Sequence, residues 1–404
     1  MAIEMTHHLR FKIAVVVLVL VLAGLGVYAG IGKTIQTNKQ TKSTTHTTST
    51  TAKHFPTTST STTTVSTSSP PTILQTGGKS KSALLWSGPQ KTQIGFYYND
   101  TISCVSATFC MGVGNSEYGQ TFNGTSWSAP RSVLWNSIVS CASATFCVAV
   151  GEDGYFTTFN GTSWSAPQLF VPTSLLKGYA WAEDHFFYPP FDSISCVSTS
   201  FCVVGDDVGN VYTFNGTSWS APTSIDGTNQ LNSVSCVSTS FCMAVDGGGN
   251  AIIFNGTSWS APQLIDPTYS YAASLDQPTG YSLTSVSCTS TTFCIATDGS
   301  NTVRIFNGTA WFTSVVPPAG PPTAGYNSVS CISRSFCEAV GVEGYATTFN
   351  GTSWSAPQLI DPVSHKKDAS PFSFTSVSCV PATESPGELC VAGDGGWNAF
   401  IARS

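Results

Sequence analysis

The sequence carries little charge, and this limits the partners it can have. Asp, Glu, Lys and Arg together make up 9% of the 404 residues. Residues 82–404 hold eight basic residues against 21 acidic ones, whereas residues 1–81 hold eight basic residues and one acid, Glu4. Because phosphate backbones need a basic surface, the acidic part predicts that the chain has no nucleic-acid partner.

Long stretches with helical periodicity are missing from residues 82–404, while Gly, Ser, Thr and Asn are abundant. Short strands joined by turns are therefore expected, and the chain is predicted to be all-β. Nucleophile-elbow, zinc-protease and phosphate-loop motifs are absent as well. The arginines of this part are scattered rather than clustered, and they are Arg131, Arg304, Arg334 and Arg403.

The first 81 residues divide into three segments. Residues 1–12 contain Arg10 and Lys12, and this positive charge predicts a cytoplasmic tail. Residues 13–31 form an apolar run near the minimum length for a bilayer span, which predicts a transmembrane signal anchor. Cleavage after Ala29 is the alternative, and the chain would then be secreted. Residues 32–81 are rich in Ser and Thr and predict a disordered stalk outside the cytoplasm.

Residues 82–404 consist of a repeated unit that reads S-V-S-C-V-S-T-S-F-C-x-A-V, followed by a variable stretch and then F-N-G-T-S-W-S-A-P. The first cysteines of successive units are 37 to 55 residues apart. Each unit contains four strand-like segments, which we call A to D, and the Asn-Gly pair between C and D predicts a tight hairpin turn. This period with four strands per unit predicts a β-propeller.

All 14 cysteines fall in local pairs, one in each of seven units. Facing each other across the A–B hairpin, the two cysteines of a unit are close enough to form a disulfide. Zinc is disfavoured because residues 82–404 offer only His185 and His365 as further ligands. The predicted disulfides are Cys104–Cys110, Cys141–Cys147, Cys196–Cys202, Cys236–Cys242, Cys288–Cys294, Cys331–Cys337 and Cys379–Cys390.

The tryptophans of strand D are displaced by one unit relative to the cysteines. Trp86 precedes the first cysteine pair, and no such tryptophan follows Cys390. The segment around Trp86 is therefore predicted to supply strand D of the last blade, which closes the ring and removes an exposed sheet edge. The fold class is thus a seven-bladed β-propeller over residues 82–404, closed by an N-terminal strand and preceded by a transmembrane helix and a disordered stalk.

The motif T-x-N-G-T-S-W, as in Thr213 to Trp219, follows strand B, which ends in Ala-Val-Gly in two units. In this the chain resembles secreted bacterial propellers of the Asp-box (BNR-like) and photosystem-assembly-factor-like type. The usual Asp of the motif is Asn here, and the loop is one residue shorter. Since that group mixes sialidases with non-enzymatic binding and scaffold proteins, the resemblance implies the fold rather than an activity.

The topology places the B–C and D–A connections at one end of the propeller, which we call the top face, and most of the acids fall there. The longest insertions are D–A connections with several aromatic residues, and long loops on a rigid scaffold often carry function. Packing within the loops is the alternative role of these rings. Calcium is a conceivable cofactor at Asp206-Asp207 or Asp246, without a defined ligand series. The candidate ligand-binding residues are Tyr179, Trp181, Glu183, Asp184, His185, Tyr188, Asp206, Asp246, Tyr269 and Tyr271.

Seven N-x-S/T sequons occur in the exported part. Glycosylation is one interpretation, and the other is that Asn-Gly simply forms the turn between strands C and D. The candidate sites are Asn99, Asn123, Asn160, Asn215, Asn255, Asn307 and Asn350.

Three functions remain open from the sequence. The first is a cell-surface binding module that recognises a polysaccharide or a surface protein, with the membrane contacted through residues 13–31. The second is an extracellular carbohydrate-active enzyme, a glycoside hydrolase or lyase that uses top-face carboxylates. The third is a structural envelope protein without a small ligand. The first is favoured, because no catalytic constellation is apparent.

Overall fold

The chain divides into two units, Met1–Leu74 and Gln75–Ser404. The residues that the computed structural model describes all belong to the second unit. They form 31 strands and one short 3-10 helix, Val342–Gly344. The described ranges are 84–94, 101–114, 116–151, 153–171, 191–267, 270–272, 277–279, 282–317, 325–362, 373–382 and 387–404.

The strands form seven sheets of at least four strands each, counted over the described ranges, and each sheet is one blade. Two short strands come first, β1 (Leu85–Trp86) and β2 (Gln90–Lys91). Blade 1 holds β3 (Thr101–Ser106), β4 (Phe109–Val113), β5 (Tyr118–Phe122) and β6 (Arg131–Ser132). Blade 2 holds β7 (Ser137–Ser143), β8 (Phe146–Gly151), β9 (Tyr155–Phe159) and β10 (Gln168–Leu169). Blade 3 holds β11 (Phe191–Ser198), β12 (Phe201–Asp206), β13 (Asn210–Phe214) and β14 (Thr223–Ser224).

The remaining blades repeat this order, with one small hairpin inserted after blade 4. Blade 4 holds β15 (Ser233–Ser238), β16 (Phe241–Val245), β17 (Asn250–Phe254) and β18 (Gln263–Leu264). The hairpin is β19 (Ser270–Ala272) and β20 (Gln277–Thr279). Blade 5 holds β21 (Leu283–Ser290), β22 (Phe293–Asp298), β23 (Thr302–Phe306) and β24 (Trp311–Val315). Blade 6 holds β25 (Tyr326–Ser333), β26 (Phe336–Gly341), β27 (Tyr345–Phe349) and β28 (Gln358–Leu359). Blade 7 holds β29 (Phe374–Pro381), β30 (Glu388–Asp394) and β31 (Asn398–Arg403).

Blade 7 is completed by the N-terminal segment, as the displaced tryptophans predict. Strand β1 pairs with β31, with Trp86 opposite Ala402, and β2 pairs with the other end of β31, with Gln90 opposite Ala399. Leu84 is buried against residues of blades 6 and 7, and Ile94 is buried between blades 7 and 1. The segment 84–94 therefore belongs to blade 7 and contributes to the packing of this blade against blade 6 and against blade 1. The predicted closure of the ring is confirmed.

The innermost A strands are joined around the axis by hydrogen bonds from one blade to the next. In each blade the serine before the first cysteine accepts the N–H of the corresponding cysteine in the following blade, at 2.9 to 3.0 Å. The acceptor–donor pairs are Ser103–Cys141, Ser140–Cys196, Ser195–Cys236, Ser235–Cys288, Ser287–Cys331, Ser330–Cys379 and Ser378–Cys104. The last pair connects blade 7 to blade 1 and completes the circle.

A second ring of hydrogen bonds lies two residues nearer the start of the same strands. A serine or threonine three residues before each cysteine accepts a backbone N–H from the next blade, at 2.6 to 3.2 Å. These pairs are Thr101–Val139, Ser193–Val234, Ser233–Val286, Ser285–Val329, Ser328–Val377 and Ser376–Ile102. Blade 2 carries Ile138 at this position, so it offers no such acceptor and packs against blade 3 instead.

The hydrophobic core is divided into layers between adjacent blades rather than gathered in one centre. Each buried cluster of the described residues draws on two neighbouring blades, for example Val148 of blade 2 with Val204 of blade 3. The strand-D tryptophan of each blade packs into the layer shared with the preceding blade, as Trp219 does there. The alternating V and A residues of strands A to C fill these layers, because successive side chains of a strand point to opposite faces.

All seven predicted disulfides are present, and no cysteine is free. The paired cysteines lie directly opposite each other on strands A and B, with Cα atoms 3.9 to 4.1 Å apart. Seven disulfides indicate an oxidising compartment outside the cytoplasm.

The predicted membrane anchor concerns a part of the chain that the structure leaves undescribed. Within the described ranges no helix has the length and apolar character needed to span a membrane. The cytoplasmic tail at 1–12, the anchor at 13–31 and the stalk at 32–81 lie outside those ranges and stay predictions.

The closure of the ring predicts different effects for two adjacent leucines. Leu84 is 1% exposed, whereas Leu85 is 79% exposed. We expect Leu84→Ala to lower the free energy of unfolding by about 2–5 kcal/mol, because it leaves a cavity between blades 6 and 7. Leu85→Ala is the control and should change it by less than about 0.5 kcal/mol. Urea unfolding measures both, and equal small effects would show that this segment is not part of blade 7.

The disulfides predict a second stability effect. Each short A–B loop closes few residues, so chain entropy alone gives a contribution of about 2 kcal/mol per bond. We expect the double variant Cys141→Ala/Cys147→Ala to lose about that amount in urea unfolding while keeping its β-sheet circular dichroism spectrum. An unchanged midpoint in the double variant would contradict this role of the bond.

Candidate functional site

The B–C turns of the top face are organised by buried aspartates. Four blades carry Asp four residues after the second cysteine, and each of these residues is at most 1% exposed. In blade 3 the Asp206 carboxylate accepts the backbone N–H groups of Val208 and Asn210, at 3.1 and 2.7 Å, and the Asn210 side-chain amide at 3.0 Å. The turn aspartates are Asp206, Asp246, Asp298 and Asp394. Their side chains thus satisfy turn amides that would otherwise lack acceptors.

A second set of buried aspartates ends strand D, seven residues after the tryptophan. They are Asp226, Asp266 and Asp361, with exposures of 6%, 0% and 1%. Each lies beside the turn aspartate of the next blade. Asp226 shares a hydrogen bond with Asp246, Asp266 shares one with Asp298, and the charge of Asp361 acts on Asp394. The described part of the top face therefore contains three carboxyl pairs buried between blades.

The two sets occur together in the sequence of the repeat with one exception, since Asp206 of blade 3 follows a blade whose strand D ends with Val171. Wherever strand D ends in Asp, the next blade has the turn Asp. Blade 1 ends strand D with Leu134, and the facing residue of blade 2 is Gly151. A Cβ atom at Gly151 would lie only 3.2 Å from the Cβ of Leu134. In blade 5, whose strand D is one residue shorter, the equivalent position is Pro317, and blade 6 has Gly341. Aligning the repeats would have revealed these pairs, which the sequence analysis overlooked.

The pair between blades 4 and 5 encloses a basic side chain. The Arg304 guanidinium lies 2.7 Å from Asp266 and 3.9 Å from Asp298 and is 3% exposed. Ile252 stands at the equivalent position of blade 4, so the pair Asp226–Asp246 has no such partner from strand C. Two carboxylates in hydrogen-bonding contact repel each other when both are ionised, and protonation of Asp226 relieves that repulsion. Burial, and then the hydrogen bond and charge of the neighbouring Asp246, raise the pKa of Asp226 to about 8.

Glu338 is another buried acid, located in β26 where other blades carry an apolar or small residue. It is 1% exposed and accepts hydrogen bonds from the Thr348 hydroxyl, at 2.7 Å, and from the Trp86 indole. Burial raises the pKa of Glu338 to about 8. The indole of the N-terminal strand is therefore anchored to blade 6 by the buried Glu338 carboxyl.

Most of the predicted ligand-binding residues cannot be placed. Tyr179, Trp181, Glu183, Asp184, His185, Tyr188 and Tyr269 lie outside the described residues, and for Tyr271 only the backbone of β19 is described. Asp206 and Asp246 lie on the top face as predicted, and their carboxylates stabilise turns. A role for any of these residues in ligand binding stays a prediction.

Calcium finds limited support in the described ranges. There, no three or more His, Cys, Asp or Glu residues come together in an arrangement that could hold a metal ion. The Asp226–Asp246 pair offers two carboxylates, whereas calcium takes six to eight oxygen ligands. Calcium as a cofactor stays a prediction.

The sequon asparagines form the C–D turns. In blade 1 the Asn123 side-chain oxygen accepts N–H groups of Thr125 and Ser126, at 3.0 and 2.9 Å, while Gly124 adopts a φ of 95°. The turns at Asn160, Asn215, Asn255, Asn307 and Asn350 show the same bonds. Turn formation thus accounts for the repeated motif. The six asparagines of these turns are exposed, whereas Asn99 lies outside the described residues. Glycosylation at any of the seven stays a prediction.

Aromatic side chains that the sequence analysis did not single out project from the top face. Trp397 lies in the B–C turn of blade 7, Tyr118 begins strand C of blade 1, and Trp135 lies in the connection from blade 1 to blade 2. They are 41%, 43% and 59% exposed. The three blades are consecutive in the ring, and the turn that carries Trp397 is tied to the N-terminal segment of its own blade, where Thr92 N–H donates to the Trp397 carbonyl at 3.0 Å. Exposed aromatic rings in neighbouring turns are typical of binding surfaces.

Trp397 also has an unusual backbone. Its φ is 67°, in the left-handed region that bulky residues rarely adopt. Four other blades place glycine at this position of the turn, seven residues after the second cysteine, with φ between 77° and 82°. These glycines are Gly154, Gly209, Gly249 and Gly344. A tryptophan kept in a glycine conformation stores backbone strain, which often marks a functional residue.

The buried acids predict how stability depends on pH. The pKa of Glu338 is raised from 4.5 to about 8 on folding, and those of Asp226, Asp298 and Asp394 are also raised by burial. Their contribution to stability is complete below the unfolded-state pKa and is lost as pH rises towards about 8. We expect urea unfolding to show the free energy falling between pH 5 and pH 9.

Two variants identify the group responsible. Glu338→Gln removes one titrating group, so its unfolding free energy should fall less steeply with pH than that of the wild type, the difference being on the order of a few kcal/mol. Glu117→Gln, at an exposed position, should follow the wild-type curve. A wild-type stability that rises from pH 5 to pH 9 would contradict the assignment.

Comparison with known proteins extends only to the fold. The chain matches no family model and no curated protein. Among solved structures it is similar to "YCF48 bound to D1 peptide", with 14% sequence identity, a TM-score of 0.52, and coverage of 78% of this chain and 94% of that one. At this identity the likeness shows a shared propeller fold. It agrees with the resemblance to photosystem-assembly-factor-like propellers that the turn motif indicated.

Proposed function

We propose that the chain is an extracytoplasmic binding module of the cell surface, which recognises a carbohydrate or an envelope protein through the top face. The observation that carries this proposal is Trp397, exposed and kept in a backbone conformation that glycine occupies in four other blades. Strain of this kind costs about 1–3 kcal/mol and persists only where the surrounding structure imposes it. A role in binding gives a reason for retaining it.

The chemistry of the top face suits a neutral ligand with apolar and polar surfaces. Trp397, Tyr118 and Trp135 offer rings, and the turns around them offer backbone carbonyl and hydroxyl groups. Sugar rings present apolar faces to aromatic side chains and hydroxyls to polar groups. The predicted residues of the 171–192 insertion would extend this surface. For a protein partner, the structure of YCF48 with a D1 peptide supplies a precedent in the same fold.

The described charged residues support binding rather than catalysis. Arg304 is buried between carboxylates, and the Arg334 guanidinium lies 5.5 Å from the centre of the Phe293 ring. Arg131 and Arg403 donate to turn carbonyls of neighbouring blades. The buried aspartates stabilise turns and seams. These residues are therefore committed to structure, which leaves the glycosidase and lyase alternatives without an assigned catalytic pair.

The variant Trp397→Gly tests the proposal directly. Glycine relieves the strained φ, so we expect the free energy of unfolding to stay within about 1 kcal/mol of the wild type. Binding should fall at least tenfold. The full chain, wild type and variant, is applied to a glycan array and to solubilised envelope proteins, and release of reducing ends is followed in parallel.

The control is Leu264→Ser, which removes a similarly exposed apolar side chain (56%) from the outer strand of blade 4 and should leave top-face binding unchanged. Ligands captured equally well by wild type and Trp397→Gly would contradict the assignment of this surface. Reducing ends that accumulate with time would favour the carbohydrate-active enzyme instead.

A further inference from the structure

The outer strand of blade 5 differs from those of the blades that share the Ser-Ala-Pro motif. In blades 1 to 4 and 6 the paired part of strand D has two residues, preceded by Trp-Ser-Ala-Pro. In blade 5, β24 runs without interruption over five residues, Trp311–Val315. The sequence there is Trp-Phe-Thr-Ser-Val, which lacks proline and is one residue shorter between the tryptophan and the end of the strand.

The missing residue removes a bulge. In blade 4, Trp259 lies opposite Phe254 while Gln263 lies opposite Ala251, so strand D contains one extra residue. The Ser260 hydroxyl accepts the Ile253 N–H at that point, within the interrupted ladder. In blade 5 the pairing continues in one register from Trp311 opposite Phe306 to Val315 opposite Thr302. Bulges and prolines both protect sheet edges from pairing with other chains, and this edge has neither.

The unbroken ladder determines which backbone groups face outward. Asn307 N–H donates to the Ala310 carbonyl, at 3.1 Å, and Val316 N–H donates to the Asn301 carbonyl, at 2.9 Å. Because antiparallel pairing alternates, every second residue between them also faces β23. The N–H and C=O groups of Trp311, Thr313 and Val315 therefore point away from the blade. Strand β24 is the last strand of its sheet, and no described strand pairs with this edge.

The side chains along the edge are uncharged and partly apolar. Phe312 is 47% exposed and Val315 is 64% exposed, whereas the matching part of the other blades carries the Ala-Pro segment. From Ala310 to Val316 there is no Asp, Glu, Lys or Arg to repel an approaching strand. A straight, neutral, exposed edge of this kind favours the addition of another strand.

We propose that β24 pairs antiparallel with β24 of a second copy of this chain, so that two propellers share a continuous sheet. With a two-fold axis through Thr313, Thr313 faces its own copy, and Trp311 faces Val315 of the other chain. All six outward backbone groups of each strand then meet complementary groups, because identical antiparallel strands form a self-complementary interface. Phe312 lies opposite Ser314 of the copy, which leaves room for its ring.

The second copy fits this edge better than a flexible peptide does. Both strands of the dimer are already extended and held by their own blades, so pairing costs little conformational entropy. From Ala310 to Val316 the edge carries no charge that would select a particular foreign side chain. Because three residue pairs make a small interface, the dimer is weak and forms as the concentration rises.

The test uses proline at the centre of the edge. Thr313→Pro removes an outward N–H and keeps the backbone bonds to β23, and proline already occupies edge positions in the other outer strands. It also removes the hydroxyl that accepts from the Arg304 guanidinium at 3.4 Å, and the alanine variant removes the same hydroxyl. Thr313→Ala keeps the N–H and is the matched control. Sedimentation velocity of the full chain, from about 1 to 200 μM, should show concentration-dependent dimers for wild type and Thr313→Ala. Dimerisation should weaken at least tenfold in Thr313→Pro at an unchanged unfolding temperature.

A second measurement reads the register. In the proposed dimer Thr313 faces itself at a spacing that a disulfide can bridge, so Thr313→Cys should cross-link into dimers under mild oxidation. Val315→Cys faces Trp311 and should cross-link far less. The proposal is overturned if the wild type stays monomeric at every concentration, if the proline and alanine variants dimerise equally, or if both cysteine variants cross-link alike. A monomeric chain that binds extended peptides at this edge would also overturn it, in favour of a foreign strand.

Discussion

The hydrogen bonds from cysteine amides to the serines of the preceding blade are the interaction on which the ring depends. Each blade donates one such bond and accepts another. Its cysteine amide and its serine hydroxyl therefore both have partners only when both neighbouring blades are in place. The bond from Cys104 to Ser378 joins the first repeat to the last, and it can form only in a closed ring. Buried backbone amides need partners, and here they find them in the next blade rather than within their own.

The outer parts of the blades follow from this inner ring. Once the A strands are bound side by side, the faces of adjacent blades meet, and the apolar residues of strands A to C form a layer at each junction. The same junctions place Trp86 against Glu338 and the end of one strand D against the B–C turn of the next blade. Turn amides, Arg304 and raised pKa values make buried carboxyls such as Asp206, Asp266 and Glu338 tolerable there.

Much of this arrangement could be predicted from the sequence because it follows from spacing. The seven cysteine pairs, the Asn-Gly turns and the displaced Trp86 specify blades, hairpins and closure without any knowledge of side-chain packing. The burial of Asp206 and Asp246 could not be predicted in this way. A turn position indicates that a side chain is near the top face, but burial depends on the residue that the neighbouring blade places against it. Asp226 and Asp246 are 20 positions apart and become partners only through the ring.

A repeat protein contains its own controls, since each blade shows what the scaffold requires at a given position. Asn123, the disulfides and the inner serines recur because the fold needs them, so they carry little information about function. Trp397 instead replaces a glycine at some energetic cost, and blade 5 has lost the residue and the proline that protect other edges. Neither change improves the blade in which it occurs. Both place apolar groups in solvent, and such groups are retained most readily where another molecule covers them.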